Sequence, residues 1–587
     1  MPTTAPPALD LVDLLLPFGR ARLAAVDAAR TGAWLDASLL VAGCTQVVED
    51  HLHRSEGLLD RVAVHLGDGD AGARHAVRAA VGLAATAVRT AHRARPPVAG
   101  LVPRRDALLE LAIDCAAASA TVEAGAGLEP PEASVLADRV ERALGGSASW
   151  PAELEGRPLR LPSAFRSFDQ HPADVRALAG LAAERWPDRQ LAIVVVGIRT
   201  SGSYLGPIAV AELRRLGYRR AELITTRAGE RLDGAQAEAA ARGGAGRVLV
   251  VDDPPVSGAT IQGCIGALAG AGVAPERVAL LLALPDGWPV PSTLDALELI
   301  SLPGAAWHLT QALDPDEVRR SATSLLEGRA EELVGDLVPV PDPVGRRPGG
   351  APRTAREHGR AAFAAEVRDR AGATRSCTLL VQGCGIGLFG RHDADVAARL
   401  GDHVPDVLGV HDGLLHQLLH RPDDARSAPE PSDVARYVLD RHRALRVTTD
   451  HAAGMRGRKA AWEVAGMLVG GALGRADLAL RSTLVHPIVQ RLLHVAQPSV
   501  IDGRMSADRF LPAGGGRPPV KIDFAEGAFS NRDLWAYDPV ADLAAIGDHL
   551  GRAPEVLDAW ERAGGGTVEP SRWALLRMVA AWDRHRH

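Results

Sequence analysis

The hydrophobic pattern of the chain changes twice between its amino and carboxyl ends. Over residues 8–125, apolar positions recur every three or four residues, as in LVDLLLPFGRARLAAV and DALLELAIDCAAASATV. That spacing is typical of amphipathic helices, whose apolar side chains share one face. Because this region holds no catalytic pattern, we expect a helical packing or oligomerisation domain over residues 1–150. Gly, Pro and Ser within 125–151 indicate the boundary.

From about residue 155, short apolar runs rich in β-branched residues alternate with Ala-rich helical patterns. The runs are LAIVVVGI, AELITT, RVLVVDD and RVALLLAL, which begin at residues 191, 221, 247 and 277. Continuous apolar strands between helices predict a parallel sheet that is covered on both faces. We therefore predict an α/β domain over residues 151–337, with its active site at the carboxyl ends of the strands.

Residues 338–353 are dense in Pro and Gly and predict a linker. The remainder, 354–587, is expected to open with a helix, to form a strand pair in VPDVLGVHDGLLHQLLH, and to continue mostly helical. For GCGIGLFG (383–390), a tight turn between strands is favoured over a functional glycine-rich loop. The predicted fold class is α/β, in which a central Rossmann-like parallel sheet domain is flanked by an N-terminal helical domain and a C-terminal α+β domain.

Composition narrows the function classes. The 587 residues are 47% hydrophobic and 24% charged, which is ordinary for a globular protein and excludes a wholly disordered or collagen-like chain. The net charge of −6 gives no indication of nucleic-acid binding. Five cysteines without a C-x-x-C pair argue against a disulfide scaffold or zinc site and fit a reducing compartment.

Two further patterns bear on localisation. The amino-terminal residues lack a basic n-region and carry acids within their apolar stretch, unlike a signal peptide. No run approaches 18 apolar residues, the minimum typical of a transmembrane helix. We expect a cytoplasmic protein that binds neither membrane nor nucleic acid, and a homo-oligomer remains open.

The clearest functional motif is VLVVDDPPVSGAT, at residues 248–260. A predicted strand ends in Asp252 and Asp253, and a short loop with Ser257 and Thr260 leads into a helix. Hydroxyls and backbone N–H groups at the start of a helix commonly bind phosphate. Carboxylates beside them suit the hydroxyls of a sugar, so the motif indicates a sugar-phosphate site.

This motif resembles that of the type I phosphoribosyltransferases, in which an apolar strand and two acids precede four residues and a Gly-x-Thr or similar ending. The chain matches at both acids and over Ser257–Thr260, which includes Gly258 and Ala259. It departs at Pro254–Pro255, where the family has smaller or β-branched apolar residues. A strand, two acids, a loop and a helix also occur in response-regulator and flavodoxin-like folds.

A second stretch, GIRTSGSYLGP (197–207), directly follows the strand LAIVVV. In the phosphoribosyltransferases, the loop at this place binds the diphosphate of 5-phosphoribosyl 1-diphosphate. The resemblance therefore implies that the Arg199 guanidinium and the amides of Thr200, Ser201 and Gly202 bind diphosphate, a role that suits their chemistry.

Three more segments are candidates for the site. TTRAGERLDGAQ (225–236) lies where family members often have a mobile loop, and its Arg227 and Arg231 are candidates for contact with the leaving diphosphate. A solvated loop in an Arg-rich chain is the alternative. Segments 160–172 and 283–289 are candidates for the hood that selects the acceptor. Their candidate lining residues are Asp169, His171 and Trp288.

The resemblance implies an enzyme, a phosphoribosyltransferase, with Mg²⁺ as cofactor. The anomeric carbon of the donor loses diphosphate through an oxocarbenium-like state, so catalysis depends on stabilising the leaving group. By this resemblance Mg²⁺ and the Arg199 loop hold the diphosphate, while Asp252 and Asp253 hold the ribose hydroxyls and serve as metal ligands. No residue is identified as a general base.

Residues 377–587 resemble, more weakly, the aminoglycoside-phosphotransferase-like kinases. VIDGRMSADRFL (500–511) stands where that family has its catalytic loop, HGDLHPGNIL. Downstream, Asp523 matches the metal-binding Asp and Asp542 a later structural Asp. The resemblance makes Asp523 a candidate metal ligand of a kinase-like site.

The departures from this second family are large. Arg504 falls where the catalytic Asp belongs, and Arg509 where the magnesium-binding Asn belongs. Residues 377–422 contain no lysine, so the lysine that contacts the ATP phosphates is missing. Asp502 and Asp508 are the alternative acids. We expect a kinase-like domain without kinase activity.

The pairing of the two domains resembles bacterial phosphoribosyltransferases of aminoglycoside biosynthesis, which act on a hydroxyl of an acceptor such as neamine or paromamine. That resemblance implies a role in antibiotic biosynthesis. Because such acceptors are polycations, it also implies an acidic pocket, for which the kinase-like lobe is a candidate source. Three alternatives remain: a nucleobase-type phosphoribosyltransferase, which stacking on Trp288 would favour, a non-catalytic donor-binding regulator, and a small-molecule kinase.

Overall fold

The computed structural model describes six stretches of the chain, and everything below concerns these residues. The stretches are 13–53, 100–343, 358–420, 428–450, 492–525 and 537–586, without positions 147, 167, 229, 245, 493 and 514–516. Part of the predicted linker and part of the predicted helical domain lie outside them. None of the described helices has both the length and the hydropathy that a membrane span requires.

The chain divides into two compact units. One is Leu15–His308, and the other joins Leu309–His587 to Met1–Leu14. The regions predicted as a helical domain and as an α/β domain therefore share one unit. The end predicted for the α/β domain, residue 337, falls inside a strand of the other unit, Glu332–Pro339.

The first unit opens with helices, in agreement with the spacing of apolar residues. They are α1 (Phe18–Arg30), α2 (Trp34–Leu52), α3 (Leu101–Glu123) and α4 (Pro130–Leu144). Helix α2 is buried along almost its whole length because it packs against α1 and α3 and also against a helix of the α/β region. Two short helices follow, α5 (Ala152–Glu155) and α6 (Ser163–Arg166).

A five-stranded parallel sheet forms the core of the α/β region. Its strands are β1 (Ile193–Ile198), β2 (Ala221–Thr226), β3 (Arg247–Val251), β4 (Val278–Leu284) and β5 (Glu298–Pro303). Their order is β2-β1-β3-β4-β5. The associated helices are α7 (Pro172–Arg185), α8 (Gly202–Arg215), α9 (Gly234–Gly244) and α10 (Ala259–Gly270).

The predicted parallel sheet is confirmed, with one strand that the sequence reading missed. Strands β1, β3 and β4 are almost continuously buried, which explains their unbroken apolar runs. Strand β5 is the edge strand, and buried and exposed positions alternate along it. It therefore lacks the continuous apolar run by which the other strands were recognised.

The second unit contains a five-stranded antiparallel sheet in the order β6-β7-β8-β10-β9. Its strands are β6 (Glu332–Pro339), β7 (Arg360–Arg368), β8 (Thr374–Gly383), β9 (Asp406–His411) and β10 (Leu414–His420). A small hairpin consists of β11 (Phe510–Leu511) and β12 (Val520–Lys521). The helices are α11 (His308–Ala312), α12 (Pro315–Glu327), α13 (Leu388–Leu400), α14 (Pro431–Ala444), α15 (Pro539–Leu550), α16 (Ala553–Arg562) and α17 (Pro570–Arg586).

Two predictions for this unit were wrong. Instead of the expected opening helix, β7 lies at residues 360–368, paired on both sides in the sheet. Its Ala-rich sequence favours a helix, and the neighbouring strands override that preference. The Gly-rich stretch 383–390 connects β8 to helix α13 and so is not a turn between two strands. The predicted strand pair, β9 and β10, is confirmed.

Candidate functional site

The two predicted loops lie side by side in the first unit. The strand order of the sheet reverses between β1 and β3, and in open parallel sheets such a switch point forms a crevice at the carboxyl ends of the strands. The loop 197–202 runs from the end of β1 to the start of α8, and the loop 252–258 follows β3. Both motifs therefore flank the position at which this class of fold binds its ligands.

Glycine allows these loops to approach each other. A Cβ atom on Gly202 would lie 2.7 Å from the carbonyl oxygen of Val251, at the end of β3, and also 2.7 Å from the Cα of Gly197. Real Cβ atoms essentially never come so close, so a larger residue would push the loops apart. The peptide bond between Arg199 and Thr200 is cis.

Polar groups of the two loops lie close together at Asp253. The hydroxyls of Ser201 and Ser163 and the backbone N–H of Ala164 lie near its carboxylate and favour its ionised form. The Ala164 N–H also lies 3.3 Å from the Ser201 hydroxyl oxygen. The carboxylate oxygen Oδ1 of Asp253 is buried and has no hydrogen-bond partner among the described residues. That oxygen is a candidate acceptor for a ligand or cation.

The carboxylates of Asp252 and Asp253 resist ionisation. Burial, together with the negative charge of Asp253, raises the pKa of Asp252 well above its usual value. Burial likewise raises the pKa of Asp253 to about 6, although its hydrogen bonds oppose the shift. Both side chains are only partly covered, so a cation or sugar hydroxyl can reach them. Such a partner would offset the cost of holding two adjacent charges.

The start of helix α10 offers backbone N–H groups beside these acids. The helix begins at Ala259 after Gly258, which adopts a left-handed conformation with φ of 72°. No side-chain cap covers this terminus, apart from a 3.4 Å contact between the Ala259 N–H and the Ser257 hydroxyl. Ser257, Ala259 and Thr260 are exposed. An uncovered helix start of this kind can bind a phosphate.

The structure does not place the Arg199 side chain toward the crevice. Its side chain is fully buried and lies among three carboxylates: Glu230, Asp50 at 3.3 Å and Glu49 at 3.9 Å. The prediction that its guanidinium contacts diphosphate therefore needs correction, because burial makes this charge depend on its internal partners. The Arg199 side chain instead links the loop to carboxylates inside the protein. The backbone at Thr200, Ser201 and Gly202 remains the candidate for ligand contact.

Arg227 lies at the end of β2, next to the same loop. Its guanidinium bonds the backbone oxygen of Arg199 at 3.2 Å. It also makes a two-pronged ion pair with Asp50, with distances of 2.8 and 2.7 Å. The side chains of Arg227 and Asp50 are 23% and 22% exposed, so, unlike Arg199, this pair can be reached from solvent.

Sequence reasoning missed Glu49 and Asp50. They end an apolar helix, α2, in a region that carried no catalytic pattern. Their partners lie about 150 to 180 residues further along the chain, so no local spacing marks the contact. The one available signal is the placement of two consecutive acids in a helix that is otherwise buried.

The segments predicted to form the acceptor hood do meet at the Asp253 loop. The indole N–H of Trp288 donates to the backbone oxygen of Pro255 at 2.9 Å. Its ring packs edge-to-face on Phe168, with 5.8 Å between ring centroids. Asp169 and His171 are buried near this contact in the chain, and the His171 ring stacks on His308 at 4.0 Å. Trp288 therefore lies directly against the loop, and Phe168 packs on Trp288.

In the second unit, the candidate metal ligand Asp523 is already engaged. Its fully buried carboxylate makes ion pairs with both Arg360 and Arg509. Arg360 lies in β7 and also bonds Gln382 of the adjacent strand β8 at 2.7 Å. Two guanidinium groups thus occupy the place of a cation at Asp523, which does not fit the predicted metal site.

The other acids of the kinase-like site are also structural in character. Buried Asp502 lies 3.2 Å from the Lys521 ammonium and accepts a hydrogen bond from the Tyr437 hydroxyl. Asp542 accepts the backbone N–H groups of residues 502 and 503 at 2.8 and 2.9 Å, a contact that holds the loop 500–511 in place. No lysine lies on β8, the third strand, where kinases carry theirs.

A cavity of about 1260 Å³ opens in the second unit beside β9, β10 and the hairpin. Its described lining is largely apolar, and its ionisable side chains are Arg329, Arg436, Arg517, Asp402, Asp406 and His403. Three arginines against two aspartates do not form the acidic surface expected for a polycationic acceptor.

Comparisons with known proteins give little guidance. No protein-family model matches the chain, and no curated protein matches it. Among solved structures, it is similar to a putative fructosamine-3-kinase from Thermobifida fusca, with 16% sequence identity and a TM-score of 0.30. The match covers 46% of this chain and 96% of that one. A likeness with so low a TM-score identifies neither the fold nor the activity of this protein.

Proposed function

We propose that this protein transfers the 5-phosphoribosyl group from 5-phosphoribosyl 1-diphosphate to a small-molecule acceptor and releases diphosphate. The observation that carries the proposal is the close approach of the loops 197–202 and 252–260 at the switch point of the sheet, where Gly202 lies against the end of β3. One loop supplies close-approaching backbone, and the other supplies two acids and an uncovered helix start.

Each part of this arrangement has a role in holding the donor. The carboxylates of Asp252 and Asp253 accept hydrogen bonds from ribose hydroxyls, and the start of α10 at Ser257–Thr260 binds the 5-phosphate. Backbone N–H groups of residues 200–202 bind the diphosphate. As the bond to the anomeric carbon breaks, negative charge grows on the diphosphate, and fixed N–H groups stabilise it without reorganising.

Mg²⁺ fits this site. Two adjacent carboxylates with a buried, unpartnered oxygen on Asp253 supply the hard oxygen ligands that Mg²⁺ prefers. When bound, the ion would neutralise part of the charge on the diphosphate. It would also offset the burial and the repulsion from Asp253 that together raise the pKa of Asp252.

The acceptor side is proposed at Phe168 and Trp288. An aminoglycoside hydroxyl, such as one of neamine or paromamine, is one candidate and would place the protein in antibiotic biosynthesis. The position of Trp288 against the Asp253 loop supports a second candidate, a planar nucleobase that stacks on or beside the indole. A regulator that binds the donor without turning it over differs from both, since it releases no diphosphate.

The proposal is tested by a diphosphate-release assay with the donor, Mg²⁺ and a panel of neamine, paromamine and free nucleobases. We expect acceptor-dependent release by the wild type and its loss in Asp252→Asn/Asp253→Asn, because the variant lacks both carboxylate charges. Asp295→Asn, an exposed acid of the same unit, serves as the control and should retain activity. Wild-type donor binding without release for any acceptor would favour the regulator, and absent donor binding would refute the site.

A further inference from the structure

Asp50 is the carboxylate partner of Arg227, a partly exposed residue beside the loop 197–202. Arg227 is bonded to the loop backbone at Arg199 and is partly exposed, yet both prongs of its guanidinium face the Asp50 carboxylate at 2.8 and 2.7 Å. Arg-carboxylate and Arg-phosphate pairs share this two-pronged geometry. The Asp50 carboxylate therefore satisfies Arg227 in the way that a phosphate group would.

The surroundings of Asp50 are those of an anion site. Besides Arg227, the carboxylate is approached by Arg199 at 3.3 Å and by Arg160 at 3.8 Å. Burial opposes its ionisation, but Arg227 and then Arg199 outweigh that effect and hold the pKa of Asp50 at about 2. Asp50 is therefore an anion throughout the physiological pH range.

Arg199 and Arg227 differ in whether an incoming anion can reach them and replace a carboxylate partner. Arg199 is fully buried and keeps Glu49 and Glu230 whether or not Asp50 is present. Among the described residues, the Arg227 guanidinium forms an ion pair with Asp50 alone, and its side chain is 23% exposed and bonded to the loop backbone at Arg199. An incoming anion at the loop therefore competes with Asp50 for Arg227 and not for Arg199.

We propose that Asp50 acts as a placeholder for the diphosphate of the donor. Its carboxylate pairs with Arg227 in the ligand-free protein, and the diphosphate displaces it from Arg227 on binding. The inference rests on the proposed function, since it concerns the same loop. It assigns the carboxyl end of helix α2 a role in setting donor affinity. Binding would break the Asp50–Arg227 pair and leave the Arg199 cluster intact.

The experiment is titration calorimetry of inorganic diphosphate with Mg²⁺ into the full chain. In Asp50→Asn the competing charge is gone, and we expect diphosphate to bind about fivefold more tightly, the size of one partly exposed ion pair. Arg227→Gln should bind it more weakly than the wild type. In Asp50→Asn/Arg227→Gln the gain should vanish, because it acts through Arg227.

A matched control is Glu110→Gln, which removes another two-pronged carboxylate pair between helix α3 and an arginine of α8, Arg214. It should leave diphosphate binding unchanged, and thermal unfolding checks that each variant is folded. Equal or weaker binding by Asp50→Asn, or a gain that persists in the double variant, would overturn the placeholder role alone. If neither the wild type nor Asp50→Asn bound diphosphate, the proposed function would fall with it.

Discussion

At the scale of single residues, ionisation of Asp252 and Asp253 destabilises the ligand-free folded protein. Their pKa values are raised in the folded protein, so between the usual value of 3.8 and about 6 the folded state binds more protons than the unfolded chain. Stability therefore falls as pH rises through this window, and the part that comes from Asp252, whose pKa is raised well above its usual value, continues to be lost as that group ionises. The two carboxylates therefore destabilise the ligand-free protein most at a pH where both are ionised.

This predicts that Asp252→Asn stabilises the ligand-free protein. At pH 7.5 the variant should unfold at a higher temperature, with a gain in the free energy of unfolding on the order of 1 kcal/mol, because one of two adjacent, partly covered charges is removed. Near pH 4 the gain should shrink, since the wild-type acids are then protonated in the folded state. Thermal unfolding at both pH values measures this gain. A gain of equal size at pH 4 would contradict the raised pKa values of Asp252 and Asp253.

Gly202 carries a second residue-scale prediction. Gly202→Ala would place a Cβ 2.7 Å from the Val251 carbonyl oxygen, so we expect a destabilisation of about 1–3 kcal/mol and loss of donor binding. Gly266→Ala is the control, because it lies in helix α10 with no heavy atom within 4 Å of the added Cβ. That change should stabilise the helix by up to about 1 kcal/mol. Calorimetry and thermal unfolding compare the two variants. A Gly202→Ala variant with wild-type stability and donor binding would show that the loops do not need this close approach.

At the scale of elements, continuous burial decided what was predictable. Strands β1 to β4 could be recognised because both faces of a parallel strand are covered, whereas β5 alternates at the edge and β7 carries an Ala-rich sequence. The loops after β1 and β3 could be placed at one crevice because their motifs follow strands directly.

The contacts between elements were not predictable in the same way. The acids at the end of α2 reach Arg199 and Arg227 only through tertiary packing, and sequence spacing carries no trace of it. The same holds for Arg360, which lies in strand β7, far from Asp523 along the chain, and forms an ion pair with it. Motifs indicate which backbone forms a site, but the charge partners of its side chains depend on the whole fold.

At the scale of the whole molecule, the two units differ in how their candidate acids are paired. Asp253 of the first unit forms no ion pair among the described residues, whereas Asp523 of the second is neutralised by Arg360 and Arg509. The second unit also lacks a lysine on its third strand. The pairing of Asp523 therefore supports placing the proposed metal-assisted transfer in the first unit.

We accordingly expect no phosphotransfer from ATP to neamine or paromamine. Wild type and Asp523→Asn should show the same background rate, because the guanidinium groups already block this carboxylate from a metal. Coupled detection of ADP measures it, with thermal unfolding as the folding check. ATP turnover that Asp523→Asn abolishes, and that Asp252→Asn/Asp253→Asn retains, would make the second unit the catalytic one.

The burial of Arg199 has a consequence for how the chain can be divided. Two of its three carboxylate partners, Glu49 and Asp50, belong to the helices that precede residue 151. A fragment that began at the sheet would leave Arg199 with Glu230 as its remaining carboxylate partner and would expose to water the surface against which α2 packs, and both changes are destabilising. The smallest piece of this region that can be expected to fold therefore includes α2, even though every recognisable motif lies beyond it.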